Sequence, residues 1–252
     1  MPRILVTGAS SGFGLAIART FLSRGWDVAA TMRDPKSDQL PVSDKLQLLP
    51  LDVTDAKSIE SAVAAAGPLD ALVNNAGVGM LNVLEGADME KVRELFETNV
   101  FGAFAVTRAV LPQLRMRGAG VIVNISSSVT LKPLPALSVY SASKAALNAF
   151  TESLALEAGL FGVRARLVLP GSAPTTDFGK NAVARMGMDI PEPYTAFVHD
   201  YLATLRSGPL VTTAEDVAAA VWLAVTDENA PMMIPAGADA RALFNEEDRA
   251  TA

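Results

Sequence analysis

Residues 7–14 read Thr7-Gly8-Ala9-Ser10-Ser11-Gly12-Phe13-Gly14, between an apolar run, Ile4-Leu5-Val6, and an apolar helical stretch from Leu15 to Leu22. A strand that enters a glycine turn and leaves it as a helix is the first half of a βαβ unit. Glycines let the chain turn tightly and let a ligand approach the backbone, while the start of the helix offers unpaired N–H groups and a positive dipole end to a phosphate. The stretch is a candidate seat for a dinucleotide pyrophosphate, with the spacing G-x-x-x-G-x-G rather than the commoner G-x-G-x-x-G. Two other readings stand beside it. The turn can be a tight strand-to-helix connection and nothing more, or Gly8-Ala9-Ser10-Ser11-Gly12 can be the G-x-S-x-G elbow of a serine hydrolase, with Ser10 as nucleophile and His199 completing a triad. Against the hydrolase, the few residues ahead of Gly8 leave no earlier strand and loop to supply an upstream oxyanion donor.

Outward from this turn, short apolar runs recur at Val28-Ala29-Ala30, Leu46-Gln47-Leu48-Leu49, Ala71-Leu72-Val73, Val121-Ile122-Val123, Val163 to Leu169 and Met232-Met233-Ile234. Such runs suit strands buried on both faces of a parallel sheet. Helical patterns separate them, at Leu15 to Leu22, Ala56 to Ala65, Met89 to Leu114, Ser141 to Leu156 and Ala214 to Val225. This alternation predicts an α/β fold, a Rossmann-type doubly wound parallel sheet of about seven strands with helices on both faces. Residues 1–252 then form a single dinucleotide-binding and catalytic domain. The alternation lapses over roughly 171–210, a stretch rich in Gly, Pro and Met that is expected to be a substrate lid.

Composition removes several function classes. The 252 residues are 50% hydrophobic, enough for one substantial core, and 21 basic against 27 acidic side chains give a net charge of −6 with no basic block to neutralise phosphates. No nucleic-acid partner is expected. There is no cysteine and a single histidine, His199, so disulfides, thiolate chemistry and a His- or Cys-based metal site are excluded. No segment offers about 18 consecutive apolar residues, and the N-terminus lacks a signal pattern, so the expectation is a cytoplasmic protein with no membrane partner.

The end of the second strand should tell NAD from NADP, because an acid there bonds the ribose hydroxyls whereas an arginine accommodates the extra phosphate. Here the chain reads Ala30-Thr31-Met32-Arg33-Asp34. Arg33 favours NADP(H), with Ser11 offering a hydroxyl to the phosphate, while Asp34, one place late, keeps NAD(H) possible.

The stretch Tyr140-Ser141-Ala142-Ser143-Lys144 places Tyr140 and Lys144 one helical turn apart on one face. A free phenol has a pKa of about 10 and is a poor base at neutral pH. A nearby ammonium favours the phenolate, and lowering its pKa by ~3 units takes ~4 kcal/mol of differential interaction. On this reading Lys144 makes Tyr140 a usable acid or base near pH 7. The run Val121-Ile122-Val123-Asn124-Ile125-Ser126-Ser127-Ser128 ends in serines at the carboxyl edge of the sheet, where open α/β sheets bind ligands.

Taken together the chain resembles the short-chain dehydrogenase/reductase family. It matches T-G-x-x-x-G-x-G at Thr7 to Gly14, an Asp-Val at Asp52-Val53, N-N-A-G at Asn74 to Gly77, an Asn in the long middle helix at Asn99, a Ser thirteen before the Tyr, Y-x-x-x-K itself, and P-G-x-x-x-T from Pro170 to Thr175. The resemblance implies that Tyr140 is the general acid/base, that Ser127 polarises the carbonyl, that Lys144 lowers the Tyr140 pKa and holds the nicotinamide ribose, and that Asn99 supports a water in the proton path. It further implies that Gly8, Ser11, Gly12, Phe13 and Gly14 surround the phosphates, Asp52 and Val53 the adenine, Asn75, Ala76 and Gly77 the adenosine side, and Pro170, Gly171, Ala173 and Thr175 the nicotinamide. Two departures stand out: Val129-Thr130 replaces the family's small residue after the active serine, which is expected to reshape the pocket floor, and the tail Ile234 to Ala238 lacks a V-x-G-G ending. The Ala-Thr-Met-Arg stretch resembles the NADP-preferring steroid and retinol dehydrogenase branch.

The implied activity is an NADP(H)-dependent carbonyl reductase acting on a bulky apolar ketone or secondary alcohol. Its pocket walls are expected from Val78 to Leu84, Val129 to Leu137, and lid residues Phe178, Met186, Met188, Ile190, Tyr194 and Phe197. A homodimer or homotetramer is expected, a dimer pairing through the 89–114 and 141–156 helices. A non-catalytic NADP-binding sensor or scaffold is the alternative on the same fold, and the intact Ser127, Tyr140 and Lys144 set argues against it.

Overall fold

A computed structural model of the protein describes residues 1–36, 38–173, 190–207 and 210–251. Seven parallel strands form one sheet, β1 (Arg3–Val6), β2 (Asp27–Met32), β3 (Leu46–Pro50), β4 (Ala71–Asn74), β5 (Gly120–Ile125), β6 (Val163–Pro170) and β7 (Met233–Ala236), in the order β3-β2-β1-β4-β5-β6-β7. The chain reverses its direction of travel across the sheet between β1 and β4, and in open α/β sheets ligands bind in the crevice at that switch point.

Strands β1, β2, β4 and β5 are buried on both faces, and alternate residues serve opposite cores. Ile4, Val6, Val28, Ala30, Val73, Val121 and Val123 pack on one side with Ile17 and Phe21 of α1 (Gly12–Ser23). Leu5, Ala29, Leu72 and Ile122 pack on the other with Ile59 of α2 (Ala56–Ala66) and Val106 and Leu114 of α4 (Gly102–Arg117). Full burial of one such Leu, Ile, Val or Phe contributes about 1.5–3 kcal/mol, so two continuous layers fix the register of the strands. The long α5 (Ser138–Gly159) joins the second layer through Leu154 and Ala158. Helix α7 (Ala214–Thr226) joins the first through Val217, Val221 and Val225, and Trp222 meets Phe21 and Trp26 edge-on or tilted.

Two expectations are corrected. The stretch Met89 to Leu114 is not one regular helix: α3 (Met89–Phe96) passes into a π-helical turn, Glu97–Phe101, before α4 begins. The lapse in periodicity over 171–210 hides a helix, α6 (Thr195–Ser207), whose Val198 is fully buried against Val83 and Ala136. A final helix, α8 (Ala238–Thr251), was also not legible in the sequence. Thr175, Phe178, Met186 and Met188 lie outside the described residues.

Candidate active site

At the switch point the glycine turn is built as the sequence predicts. Gly8 and Gly12 have φ of 67° and 55°, a left-handed conformation that side chains resist. A Cβ on Gly8 would lie 2.9 Å from the Cα of Ala76, and one on Gly14 would overlap the carbonyl of Gly8. Gly14 is buried behind the turn. Its contribution is close packing of α1 against the turn, with the face toward the crevice left to Gly8 and Gly12.

The Asn-Asn-Ala-Gly segment locks the turn from behind. Thr7 Oγ1 accepts the N–H groups of Asn75 and Ala76, both at 2.9 Å, and Asn75 Nδ2 donates to the carbonyls of Thr7 and Gly8 at 2.9 and 3.1 Å. Asn74, the first residue of that segment and the last of β4, donates to Thr107 and to Asn124, which in turn donates to Thr151, so a buried polar chain ties β4 and β5 to α4 and α5. The Asn75 amide nitrogen is thus spent on the protein itself.

The turn fits a dinucleotide phosphate. Ser11 precedes α1 in extended conformation without capping it through its side chain, and the first turn of the helix carries no acid. The α1 amides and the Ser11 hydroxyl are therefore available to an anion. Beyond β2, Met32 is buried at 4% exposure and Arg33 is the first exposed residue. Asp34, the residue that kept NAD possible, pairs with Lys36 at 3.5 Å. Asp52 Oδ1 accepts from the backbone and side chain of Thr54 at 2.9 and 2.7 Å, which holds its carboxyl below the ordinary carboxylate range, helped by Arg33 nearby. Val53 is buried at 9% exposure, and a Cβ on Gly102 would come within 2.8 Å of its side chain.

Across the crevice, Ser127, Tyr140, Lys144 and Asn99 are all buried and belong to one cluster. Ser127 follows β5, where its Oγ accepts from the Val129 N–H at 3.3 Å, and its hydroxyl is hydrogen-bonded to the Tyr140 phenol. Lys144 Nζ donates to the Ile125 carbonyl at 2.9 Å and lies 5.9 Å from the centroid of the Tyr140 ring. Asn99, in the π turn, accepts the Val78 N–H at 2.8 Å and donates to the Val78 carbonyl at 2.9 Å and to Ser143 Oγ at 3.3 Å. Gly77 lies between these groups: a Cβ there would be 3.2 Å from Asn99 Oδ1 and 3.6 Å from Lys144 Nζ. A π turn inserts one extra residue into a helix and recurs at functional sites. Here it carries Asn99 toward the Asn-Asn-Ala-Gly segment, and Asn99 braces that segment with its side chain.

The electrostatics differ from the sequence expectation in one respect. Burial raises the Tyr140 pKa above its ordinary 10.0, and the hydrogen bond from Ser127 offsets this in part. Burial also lowers Lys144 from 10.5 to about 8. Desolvation of both charged forms outweighs their mutual attraction, because the ammonium is several ångströms from the ring and gives a hydrogen bond to a carbonyl.

Sequence reasoning passed over the brace behind Ser127. Ser126 Oγ donates to Asn148 Oδ1, Asn148 Nδ2 donates to Thr130 Oγ1 at 3.1 Å, and Thr130 Oγ1 donates to the Ser127 carbonyl at 2.9 Å. The departure at Thr130 therefore turns its hydroxyl inward to hold the serine loop. Asn148, one turn beyond Lys144 on α5, was the available signal. Pro170 pairs with Ala236 at the ends of β6 and β7, and Gly171 and Ala173 follow on the same edge of the sheet. Ser10 and His199 are both exposed and no hydrogen bond joins them, which leaves the hydrolase reading without a triad.

These features define a doubly wound α/β protein with a glycine turn and a Ser-Tyr-Lys constellation at the switch point. A family model described as short chain dehydrogenase matches residues 2–186. An uncharacterized oxidoreductase, YusZ, of Bacillus subtilis (strain 168) is 48% identical over 214 residues, covering 81% of this chain and 75% of its own length. Retinol dehydrogenase 8 of Homo sapiens is 37% identical over 196 residues, covering 73% of this chain and 63% of its own. A short-chain dehydrogenase structure from Streptomyces avermitilis superposes with a TM-score of 0.84 at 36% identity, covering 99% of this chain and 93% of that one. A Burkholderia cenocepacia J2315 short chain dehydrogenase in complex with NADP has a TM-score of 0.79 at 28% identity and covers 99% and 94%. One from Burkholderia phymatum in complex with NAD has a TM-score of 0.82 at 25% identity and covers 98% and 92%. The chain belongs to the short-chain dehydrogenase family of oxidoreductases.

Proposed function

We propose that the protein is an NADP(H)-dependent carbonyl reductase of bulky apolar ketones. The observation that carries this reading is the hydrogen bond between the Ser127 and Tyr140 hydroxyls: two neutral donors held this close can converge on one substrate oxygen. When bound, the nicotinamide supplies hydride to the carbonyl carbon and is oxidised as the carbonyl is reduced to an alcohol. Ser127 donates to the carbonyl oxygen and orients it. Tyr140, kept neutral by burial, gives its proton to that oxygen as the C–H bond forms. Lys144, protonated below about pH 8, compensates the phenolate left behind until a solvent proton restores it. Asn99 holds the segment Gly77-Val78 in place beside Lys144.

Preference for NADP(H) rests on exposed Arg33 and on the pairing of Asp34 with Lys36. The apolar substrate rests on the cluster of Met80, Leu95 and Val139 that packs with Tyr140, and on a second cluster of Val83, Ala136 and Val198. One relative is named for retinol. A homodimer rests on the outer face of α4 and α5, where Phe104 stacks on Phe150 beside exposed Phe101 in a shallow groove with Leu111 and Leu154.

The test is absorbance-monitored oxidation of NADPH and NADH with a panel of aromatic, alicyclic and short charged ketones, beside Tyr140→Phe. Turnover of the apolar ketones with NADPH is expected, reduced about 10²–10⁴-fold in the variant. Cofactor binding with no turnover of any ketone would instead favour a sensor.

A further inference from the structure

The chain leaves the sheet after β6 at Pro170-Gly171-Ser172 and returns to it at Thr212, and both points are tied to one carboxylate on α8. Asp239 Oδ2 accepts the Ser172 N–H at 2.6 Å and Asp239 Oδ1 accepts the Thr212 hydroxyl at 2.7 Å. Thr212 Oγ1 in turn accepts the Gly171 N–H at 2.9 Å and lies 2.8 Å from the Ala236 carbonyl, while the Thr212 N–H donates to the Ser172 carbonyl at 2.7 Å. Thr212 is buried at 1% exposure.

The backbone is shaped to admit this carboxylate. A Cβ on Gly171 would overlap the Asp239 carboxylate, and one on Gly237, whose φ is 99°, would overlap the Thr212 hydroxyl. Gly171 is thus glycine because Asp239 lies against it. Asp239 sits in the first turn of α8, and that turn is held to α7 by Arg241, whose guanidinium is 3.8 Å from Asp216. Asp216 itself closes the capping box of α7 with Thr213, the residue after Thr212.

We infer that Asp239 is a positioning residue for the nicotinamide half of the cofactor. This rests on the proposed function together with the expectation, from the family resemblance, that Pro170, Gly171 and Ala173 line the nicotinamide. One charge-assisted hydrogen bond ties the Gly171-Ser172 peptide directly to a fixed helix, a second holds the Thr212 hydroxyl that accepts the Gly171 N–H, and a ring stacked on that peptide inherits its position. The adenosine half, seated between β1 and β2 on the other side of the switch point, is independent of Asp239.

Fluorescence titration with NADPH and with 2′,5′-ADP, which carries only the adenosine half, separates the two. Asp239→Ala is expected to raise the NADPH Kd about tenfold and to lower kcat by a similar factor, with the 2′,5′-ADP Kd unchanged within about twofold. Asp239→Asn is expected to restore both to within about threefold, since its carbonyl oxygen can accept from Ser172 and its amide can donate to Thr212, which then donates to Ala236. Thr212→Val, which removes the hydroxyl and keeps the shape, is expected to act in the direction of Asp239→Ala and stands in for it if that variant fails to fold. Equal weakening of both ligands, or an Asp239→Ala protein that binds NADPH and turns over like the parent, overturns the inference. A parent protein that binds neither ligand overturns the proposed function instead.

Discussion

The two sides of the crevice between β1 and β4 are built from different materials. On the β1 side, residues 7–14 are shaped by glycines at positive φ and by carbonyls packed where a methyl would collide, with the Thr7 hydroxyl and the Asn75 amide locking the turn from behind. On the β5 side, residues 126–148 are held by hydroxyls, amides and one buried ammonium. The glycine turn of the first surface is intolerant of volume. The second keeps its shape through hydrogen bonds and is sensitive to single polar atoms. A dinucleotide phosphate needs only a rigid seat of N–H groups, whereas proton transfer needs hydroxyls in fixed orientation.

The contrast predicts how each side fails. On the proposed function, Ser127→Ala removes one of two donors to the reacting oxygen and leaves the glycine turn untouched. It is expected to lower kcat about 10²–10³-fold with the NADPH Kd unchanged. An equal loss in cofactor affinity would show that the two sides are not separable. Gly14→Ala is the converse, a change of volume with no change of charge. Its Cβ meets backbone and the Asn75 amide, groups that cannot swing aside, so a stability loss of about 1–3 kcal/mol is expected from thermal unfolding, along with weakened cofactor binding. A variant as stable as the parent would mean that the turn relaxes freely.

Two smaller effects sharpen the contrast. Arg33→Asp changes charge at the rim of the first side, where on the proposed function only the adenosine end is read. The NADPH Kd is expected to rise about thirtyfold while that for NADH stays the same or falls, and an unchanged ratio of the two would remove Arg33 from cofactor choice. Asn148→Ala strips the brace from behind Ser127, removing the amide that accepts from Ser126 and donates to Thr130. A drop in kcat of about tenfold is expected, with Asn148→Asp recovering part of it, since a carboxylate can still accept from Ser126. Parent-like kcat in Asn148→Ala would mean that the serine loop holds itself.

The same contrast explains what was legible in the sequence. Strands buried on both faces announce themselves as unbroken apolar runs, and the glycine turn shows because glycine is the residue that such a backbone admits. The Tyr140 and Lys144 offset was readable because helical geometry converts spacing into proximity. Long-range partners were not. Nothing local in Asp239 points to Gly171, 68 places earlier, and nothing in Thr130 shows whether its hydroxyl faces the pocket or Asn148. The π turn at Glu97–Phe101 leaves the apolar period almost intact, and α6 was masked by prolines and glycines before it. The sign of the Tyr140 shift also lay beyond sequence, because it depends on how completely both groups lose water.

That shift gives the finest test of the polar side. Lys144 is lowered from 10.5 to about 8, so below pH 8 the folded protein buries an ammonium at a cost, and between 8 and 10.5 the unfolded chain holds a proton that the folded one has released. Stability from this group therefore rises with pH across that window. Tyr140 acts oppositely but only above its ordinary 10.0, where the unfolded phenol ionises and the buried one does not. Lys144→Met keeps length and removes the titration, so the Tyr140 contribution largely cancels when the two proteins are compared. Relative to the variant, the parent is expected to gain about 1 kcal/mol between pH 7 and 9, read as a difference in Tm that narrows or reverses as pH rises. A constant difference across that range would show that Lys144 is as well solvated as a surface lysine. It would then have little reason to hold its charge in reserve for the Tyr140 phenolate, and the polar side of the crevice would owe its chemistry to hydrogen bonds alone.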